Sequence, residues 1–247
     1  MLMKKNLLLT IALIGSSAPL TYAGSMGDVS SVFKRGHSIF QLGWNWSYQG
    51  QEQHINMVDL IGDEFTVSSH TRNNVLVGAG YFLDGPTYRS INMSYGINAF
   101  YLANTKVTGY VVQENLFTNL SYQYSVAHFP IYVDAKATIP TPRENTALTL
   151  DVGVGPNFMN TRGFQETPVD AITLPDTIFS GKSYTTFSAT AGLGIKFNQL
   201  LGQLPIEIGY RFFYLGDGRF NVINSQVLNT LRTGPCYGNA IVVSATI

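Results

Sequence analysis

The chain has 247 residues with 15 basic and 15 acidic side chains, and charged residues make up only 12% of it. That share is about half of the roughly 25% found in soluble domains. The absence of a basic patch excludes a typical nucleic-acid-binding domain. The single cysteine, Cys236, excludes an intramolecular disulfide. A surface with so few charges is either buried or does not face water.

The first residues have the pattern of a cleavable secretory signal. Two lysines precede a short apolar stretch, and small residues surround a cleavage site between Ala23 and Gly24. The apolar stretch is shorter than the roughly 20 residues that a membrane-spanning helix needs. We therefore expect residues 1–23 to be a signal peptide, 24–36 a periplasmic N-terminal segment and 37–247 a folded barrel domain.

Apolar residues then alternate with polar or small ones. In the first segment Phe40, Leu42 and Trp44 fall on one face, and Gln41 and Gly43 on the other. Residues two apart in a strand share a face, so this pattern predicts a β-strand. Further strands are predicted near residues 75–83, 91–101, 116–139, 148–155, 187–197, 206–212 and 241–247.

The predicted connections alternate in length. Turn-forming residues give short connections at Asp84-Gly85-Pro86-Thr87, 140–145 and 198–203. Long connections are predicted at 50–72, 102–115, 159–182 and 216–235. Short turns at one rim and long loops at the other are typical of transmembrane barrels. We predict an all-β fold, an eight-stranded antiparallel transmembrane β-barrel with long extracellular loops and short periplasmic turns.

Residues 116–139 allow two interpretations. The apolar parity flips near His128-Phe129-Pro130, which indicates either one strand kinked by a bulge or two separate strands. A barrel with both termini on one side of the membrane needs an even number of strands. One kinked strand satisfies this requirement, and the two-strand alternative stays open.

The positions predicted to face inward carry three acids and three bases. An eight-stranded barrel is only wide enough for side chains to fill it. Charges in such an interior persist only when they are paired and hydrogen-bonded. We expect a polar network that fills the lumen, in preference to an ion pathway, built from Asp134, Lys136, Asp151, Lys196, Glu207 and Arg211.

Three glycine-rich segments, 152–158, 187–194 and 209–216, resemble successive strands of OmpA-like, opacity-type outer-membrane barrels. The resemblance implies a cell outer-membrane protein that acts as an adhesin, surface antigen, envelope-stabilising protein or narrow porin-family pore. It implies outer-membrane lipids, including lipopolysaccharide, as partners, with the barrel-assembly machinery, periplasmic chaperones and a host or surface ligand. The chain ends at Ile247 where the family usually has an aromatic residue, and no peptidoglycan-tethering domain is expected.

Catalytic or cofactor chemistry is not expected. His54 and His70 fall in the first long loop with several acids and serines, but the histidine spacings match no zinc site. The alternatives to a surface protein are a narrow porin-like channel, a lipid-modifying enzyme and a soluble lipocalin-like barrel.

The first and third long loops also carry apolar residues. These either form contact patches on a partner or pack together to close the barrel mouth. They are Ile55, Met57, Val58, Leu60 and Ile61 in the first loop, and Val169, Ile172, Leu174, Ile178 and Phe179 in the third.

Overall fold

The computed structural model describes residues 36–170, 172–201 and 204–247. The predicted signal peptide and its cleavage site after Ala23 lie outside the described residues. No helix in the described part of the chain is long and apolar enough to cross a membrane. The described strands are β1 (Gly36–Tyr48), β2 (Gln53–Ile55), β3 (Asp63–Ser69), β4 (Thr71–Tyr88), β5 (Ile91–Gln113), β6 (Phe117–Pro140), β7 (Thr146–Pro168), β8 (Phe179–Ser180), β9 (Lys182–Leu201), β10 (Leu204–Arg219), β11 (Asn221–Val222) and β12 (Arg232–Thr246).

Eight long strands close into a ring in the order β1-β4-β5-β6-β7-β9-β10-β12, and every pairing is antiparallel. The first and last strands join, and beyond their register the Ser38 and Ile247 backbones exchange two hydrogen bonds of 2.8 Å. The predicted eight-stranded antiparallel barrel is therefore confirmed. The hairpin β2–β3 adds to the edge of β5, and β8 pairs with β11.

One end of the barrel, the turn end, carries the two chain termini of the ring and short reversals. The predicted turn at Asp84-Gly85-Pro86-Thr87 is wrong, because these residues continue β4 through a register shift. The chain reverses instead at Arg89 and Ser90, whose φ values of 47° and 70° suit a tight hairpin. The turn at 141–145 lies where it was predicted.

The opposite end, the loop end, has three long connections between ring strands and one short one. The predicted long loop at 102–115 is wrong. β5 continues to Gln113 and reverses through Glu114 and Asn115, which have φ values of 52° and 57°. Lys106, Thr108 and Tyr110 alternate with buried Val107 and Val111, so this stretch pairs with β6 as a strand does.

β6 is one strand without the predicted bulge at His128-Phe129-Pro130. Alternate residues from Leu120 to Lys136 face the interior without interruption. The interior changes character along the strand, from charged near Lys136 to aromatic and apolar near Tyr122. The same alternate residues therefore point inward along the whole of β6. The apolar residues change from the outward to the inward positions because the interior changes from polar to apolar.

The polarity of the outward-facing residues changes at the same level of the barrel. Toward the turn end, outward residues form an exposed apolar band that includes Val133, Leu150, Val152, Leu193, Ile208 and Val243. Toward the loop end, outward residues are polar, as in Ser121, Gln123, Asn160, Arg162 and Gln165. An apolar outside around a polar lumen is the surface of a transmembrane barrel. The loop half has the opposite arrangement, which suits water.

Two lysine substitutions on β6 test this boundary. We expect Val133→Lys, in the apolar band, to lower the free energy of unfolding by about 2–4 kcal/mol, because the charge enters hydrocarbon. Gln123→Lys, in the polar wall, should change it by less than about 0.5 kcal/mol. Urea unfolding of the protein in lipid vesicles measures both. Equal costs at the two positions would contradict the placement of the boundary.

Candidate functional site

The lumen of the apolar half is crossed by ion pairs. The Arg211 guanidinium lies 2.5 Å from Asp151 Oδ1 and 3.8 Å from Asp134 Oδ2. Asn98 Nδ2 donates to the same Asp134 oxygen at 3.1 Å. All four side chains are buried, so each charge depends on its neighbours for solvation.

A second ion pair lies beside the first. Lys136 Nζ donates to Glu207 Oε2 at 2.5 Å, and both residues are buried. Lys196 is directly opposite Glu207 in the β9–β10 register but makes no ion pair within 4 Å among the described residues. It lines a cavity of about 510 Å³ at the turn end, together with His37 and Asp84. The structure therefore pairs five of the six predicted lumen residues and leaves Lys196 at the cavity.

Glycines give these ion pairs room. A Cβ added at Gly153 would lie 2.4 Å from an oxygen of Asp134, and one at Gly192 would lie 2.6 Å from an oxygen of Asp151. Any side chain at either position would displace a carboxylate from Arg211. Gly153 and Gly192 therefore leave space for the carboxylates beside them.

A layer of aromatic rings covers the ion pairs on the loop side. The Arg211 guanidinium carbon lies 5.0 Å from the centre of the Phe100 ring. Phe100 packs edge-on against Phe213 at 5.2 Å, and Tyr132 completes the group. All three rings are buried. Sequence reasoning missed this layer, although Phe100 and Phe213 share the inward parity of Asn98 and Arg211.

A buried polar chain follows the aromatic layer. Gln49 Nε2 donates to Thr105 Oγ1 at 2.5 Å, and Gln49 Oε1 lies 3.3 Å from His128 Nε2. Asn157 Nδ2 lies 3.0 Å from His128 Nδ1 and 2.7 Å from the Leu215 carbonyl oxygen. A neutral His128 that donates from Nε2 and accepts at Nδ1 satisfies these contacts. His128 therefore links strands across the lumen.

The loop end has an apolar core of its own. Phe164 and Tyr122 come from ring strands, while Phe65, Phe179 and Phe220 come from β3, β8 and the loop after β10. Their ring centres lie within 6.4 Å of one another in a connected cluster. The loops therefore close the barrel mouth, with Ile55 and Ile178 also buried.

The first and last loops are joined by backbone contacts. Met57 and Val227 form an isolated antiparallel bridge. Val58 N donates to the Gln226 carbonyl, and Leu228 N to the Asn56 carbonyl, each at 2.9 Å. These bonds fix the first loop against the loop that precedes β12.

Other apolar residues of the loop end are exposed. Ile61 N donates to Glu114 Oε2 at 3.1 Å, which joins the first loop to the β5–β6 turn, and Val169 N donates to the carbonyl of Asn119 in β6 at 2.8 Å. Phe117 is 62% exposed and Ile172 is 88% exposed. We call seven of these residues, from the first three connections of the loop end, the apolar tip: Leu60, Ile61, Leu116, Phe117, Val169, Ile172 and Leu174.

The two histidines of the first loop contact a carboxylate, carbonyl groups and a ring. His54 Nδ1 lies 3.2 Å from Glu64 Oε2, and its Nε2 lies 2.8 Å from the Ile61 carbonyl oxygen. His70 stacks on Tyr48 with ring centres 5.2 Å apart. No serine hydroxyl hydrogen-bonds to either ring among the described residues. Within those residues there is also no group of three or more side chains that could hold a metal ion.

A buried carboxyl group lies inside the loop end. Glu166 on β7 is opposite Tyr122 in the β6–β7 register and is buried. Loss of contact with water, together with the Asp176 and Asp63 carboxylates, raises the pKa of Glu166 to about 8. Burial also raises the pKa of Asp63. The closed mouth therefore contains acids that resist ionisation.

The chain resembles solved outer-membrane barrels only at low identity. OprG from Pseudomonas aeruginosa has 10% identity and a TM-score of 0.48 over 86% of this chain and 96% of that one. Neisserial surface protein A has 8% identity and a TM-score of 0.41 over 85% and 96%. Ail of Yersinia pestis, solved with a heparin analogue, has 11% identity and a TM-score of 0.34 over 86% and 99%. No protein-family model and no curated protein matches the chain.

Removal of the central cation tests the ion layer. Arg211→Ala leaves two buried carboxylates without their partner, and we expect it to lower the free energy of unfolding by about 3–5 kcal/mol. Adding Asp134→Asn and Asp151→Asn should restore most of that loss. Lys196→Ala, which breaks no ion pair, should cost less than about 1 kcal/mol. Urea unfolding in vesicles gives these values, and equal losses for Arg211→Ala and Lys196→Ala would contradict the assignment.

Glu166 should make the stability depend on pH. Its folded pKa of about 8 lies above the ordinary value of 4.5, so stability is fully present below pH 4.5 and is lost as the pH rises through 8. Between pH 6 and pH 9 we expect a loss of about 3 kcal/mol, since the loss spans about two pKa units and one unit corresponds to about 1.4 kcal/mol. Glu166→Gln should remove most of this slope.

The matched control is Glu144→Gln, at an exposed acid of the turn end. This variant should keep the wild-type pH dependence. Urea unfolding at pH 6 and pH 9 compares the three proteins. An unchanged slope in Glu166→Gln would show that another group is responsible.

Proposed function

We propose that the chain is an outer-membrane surface protein that adheres to other surfaces or is displayed as a surface antigen. In this proposal the apolar band anchors the barrel among outer-membrane lipids, including lipopolysaccharide. The loop end stands outside the cell, and the turn end faces the periplasm. Barrel-assembly machinery and periplasmic chaperones would insert the chain after its signal peptide is removed.

The apolar tip is the observation that carries this proposal. Exposed apolar residues that cluster on a water-facing surface mark contact sites, because their burial against a partner is favourable. Each member of the tip is more than half exposed, while nearby apolar residues such as Phe65 and Phe179 are fully buried. Burial in the loop-end core would leave these residues covered, so their exposure favours an external partner.

The strands that carry the tip are long and mutually paired. β5, β6 and β7 have 23, 24 and 23 residues, whereas a tilted strand crosses a bilayer with about 9–11. About 12 further residues at about 3.3 Å each, tilted by roughly 40°, extend about 30 Å beyond the membrane. This length would hold the tip well clear of the lipid surface.

The filled lumen favours a surface role over a channel. Ion pairs around Arg211, the rings of Phe100, Phe213 and Tyr132, and the loop-end core lie in succession along the barrel. The engaged nitrogens of His54 likewise favour a protein without catalytic activity. We therefore expect no discrete conductance in planar bilayers and no modification of lipid A.

The adhesion test replaces two tip residues at once. Cells that display the Leu116→Ser/Phe117→Ser variant should adhere to alkyl-coated glass at least about fivefold less than cells with the wild-type protein, because apolar burial drives the contact. Adherence to bare glass should stay unchanged. Cell counts after washing give the result.

Tyr88→Ser serves as the control, since Tyr88 is 65% exposed at the opposite, turn end. It makes a comparable loss of exposed apolar surface where no external contact is proposed. Heat-modifiable gel mobility verifies that each variant is folded. Unchanged adherence of a folded Leu116→Ser/Phe117→Ser variant would refute the contact role of the tip.

A further inference from the structure

An open recess of about 510 Å³ lies on the outer flank of the barrel, apart from the lumen and the apolar tip. It is lined by Tyr48, Gly50, Gln51, Glu52, His70, Pro235 and Tyr237. Tyr48 ends the outward apolar row of β1, just before the polar wall begins. The recess therefore lies at the border of the apolar band, where lipid head groups meet water.

Flat rings form two walls of this recess. Tyr48 and His70 stack at 5.2 Å with an angle of 11° between their planes. Tyr237 is opposite Tyr48 in the β1–β12 register and packs against Tyr214 at 5.7 Å. Each tyrosine therefore packs against a neighbouring ring. Tyr48 remains 46% exposed, so ring surface is available to a ligand.

Backbone hydrogen bonds join the segments that line the recess. Gly50 lines it with φ of 97°, a conformation that glycine adopts without strain. Gly50 N donates to the Thr233 carbonyl at 2.8 Å, and Gln49 N to the His70 carbonyl at 2.9 Å. The recess therefore lies among segments that are fixed to one another before any ligand binds.

Its polar groups can accept and donate hydrogen bonds but cannot bind a phosphate well. Glu52 is exposed and makes no hydrogen bond or ion pair among the described residues. No lysine or arginine lines the recess. A carboxylate repels phosphate and sulfate but accepts hydrogen bonds from hydroxyl groups. Gln51 adds an amide beside it.

We propose that this recess binds an uncharged pyranose saccharide. The tyrosine rings would pack on the apolar faces of the sugar, and Glu52 and Gln51 would bond its hydroxyl groups. Few polar groups between aromatic surfaces are typical of small-molecule sites of this size. The sugar could belong to a glycolipid of the surrounding leaflet or to a saccharide from outside, since both reach this level.

The two tryptophans of the chain provide a signal for binding. Trp44 and Trp46 lie on the same outward row of β1 as Tyr48. The folded protein is kept in an amine-oxide detergent, which carries no sugar, and is titrated with lactose, an uncharged disaccharide of two pyranose rings. We expect saturable change in tryptophan emission with wild-type protein.

Variants separate this site from general aromatic effects. Tyr48→Ala should raise the Kd at least tenfold and Glu52→Gln about threefold or more. Phe158→Ala changes an exposed aromatic on β7, across the barrel from β1, and should leave the Kd unchanged. Sulfated lactose should bind at least tenfold more weakly than lactose.

Bilayer discs identify the source of the sugar. If discs that contain an uncharged lactosyl glycolipid abolish the response to free lactose, the recess binds a glycolipid of its own leaflet. If the response is retained there, the ligand comes from outside. Absence of a saturable response, an equal Kd in folded Tyr48→Ala, or displacement by choline instead of sugar would overturn the proposal.

Discussion

The lumen of a closed ring of eight strands is only wide enough for side chains to fill most of it, and the rest of the structure depends on this constraint. Each strand must place a suitable side chain inward at every second residue. Where the outside is apolar, the polar side chains must be inside; where the outside is polar, the core must be apolar. β6 satisfies both requirements in turn, with Lys136 and Asp134 at one level and Tyr124 and Tyr122 at the other.

The narrow lumen also determines which residues lie around the ion pairs. Arg211 forms ion pairs with two carboxylates, and Lys136 forms one with Glu207. Long side chains from one strand need space above the neighbouring strand, which Gly153 and Gly192 supply. Charge and glycine therefore occur together in these strands. The pattern that first suggested a polar lumen is the result of packing as much as of electrostatics.

The sequence predicted the elements whose two faces differ strongly in polarity. The eight ring strands follow from that contrast, as do the six inward charges. The predicted loop 102–115 failed because its alternation is reversed beyond the apolar band, with Val107 and Val111 inside. The alternation did not predict the aromatic layer, because the neighbouring inward residues of the same strands, Asn98 and Arg211, are polar. Leu116 and Phe117 lie at the predicted start of β6, but the alternation does not predict the exposure that places them in the apolar tip.

The contacts between the first and last loops have a consequence for barrel closure. β1 and β12 are the first and last strands of the ring, so their seam is the one place where closure joins chain segments about 200 residues apart. Backbone hydrogen bonds between Ser38 and Ile247 join β1 to β12 at one rim. At the other rim the bridge between Met57 and Val227 joins the loops that follow β1 and precede β12. Both sets of contacts would have to break before β1 and β12 could separate. Only then would an unpaired strand edge become accessible to another chain.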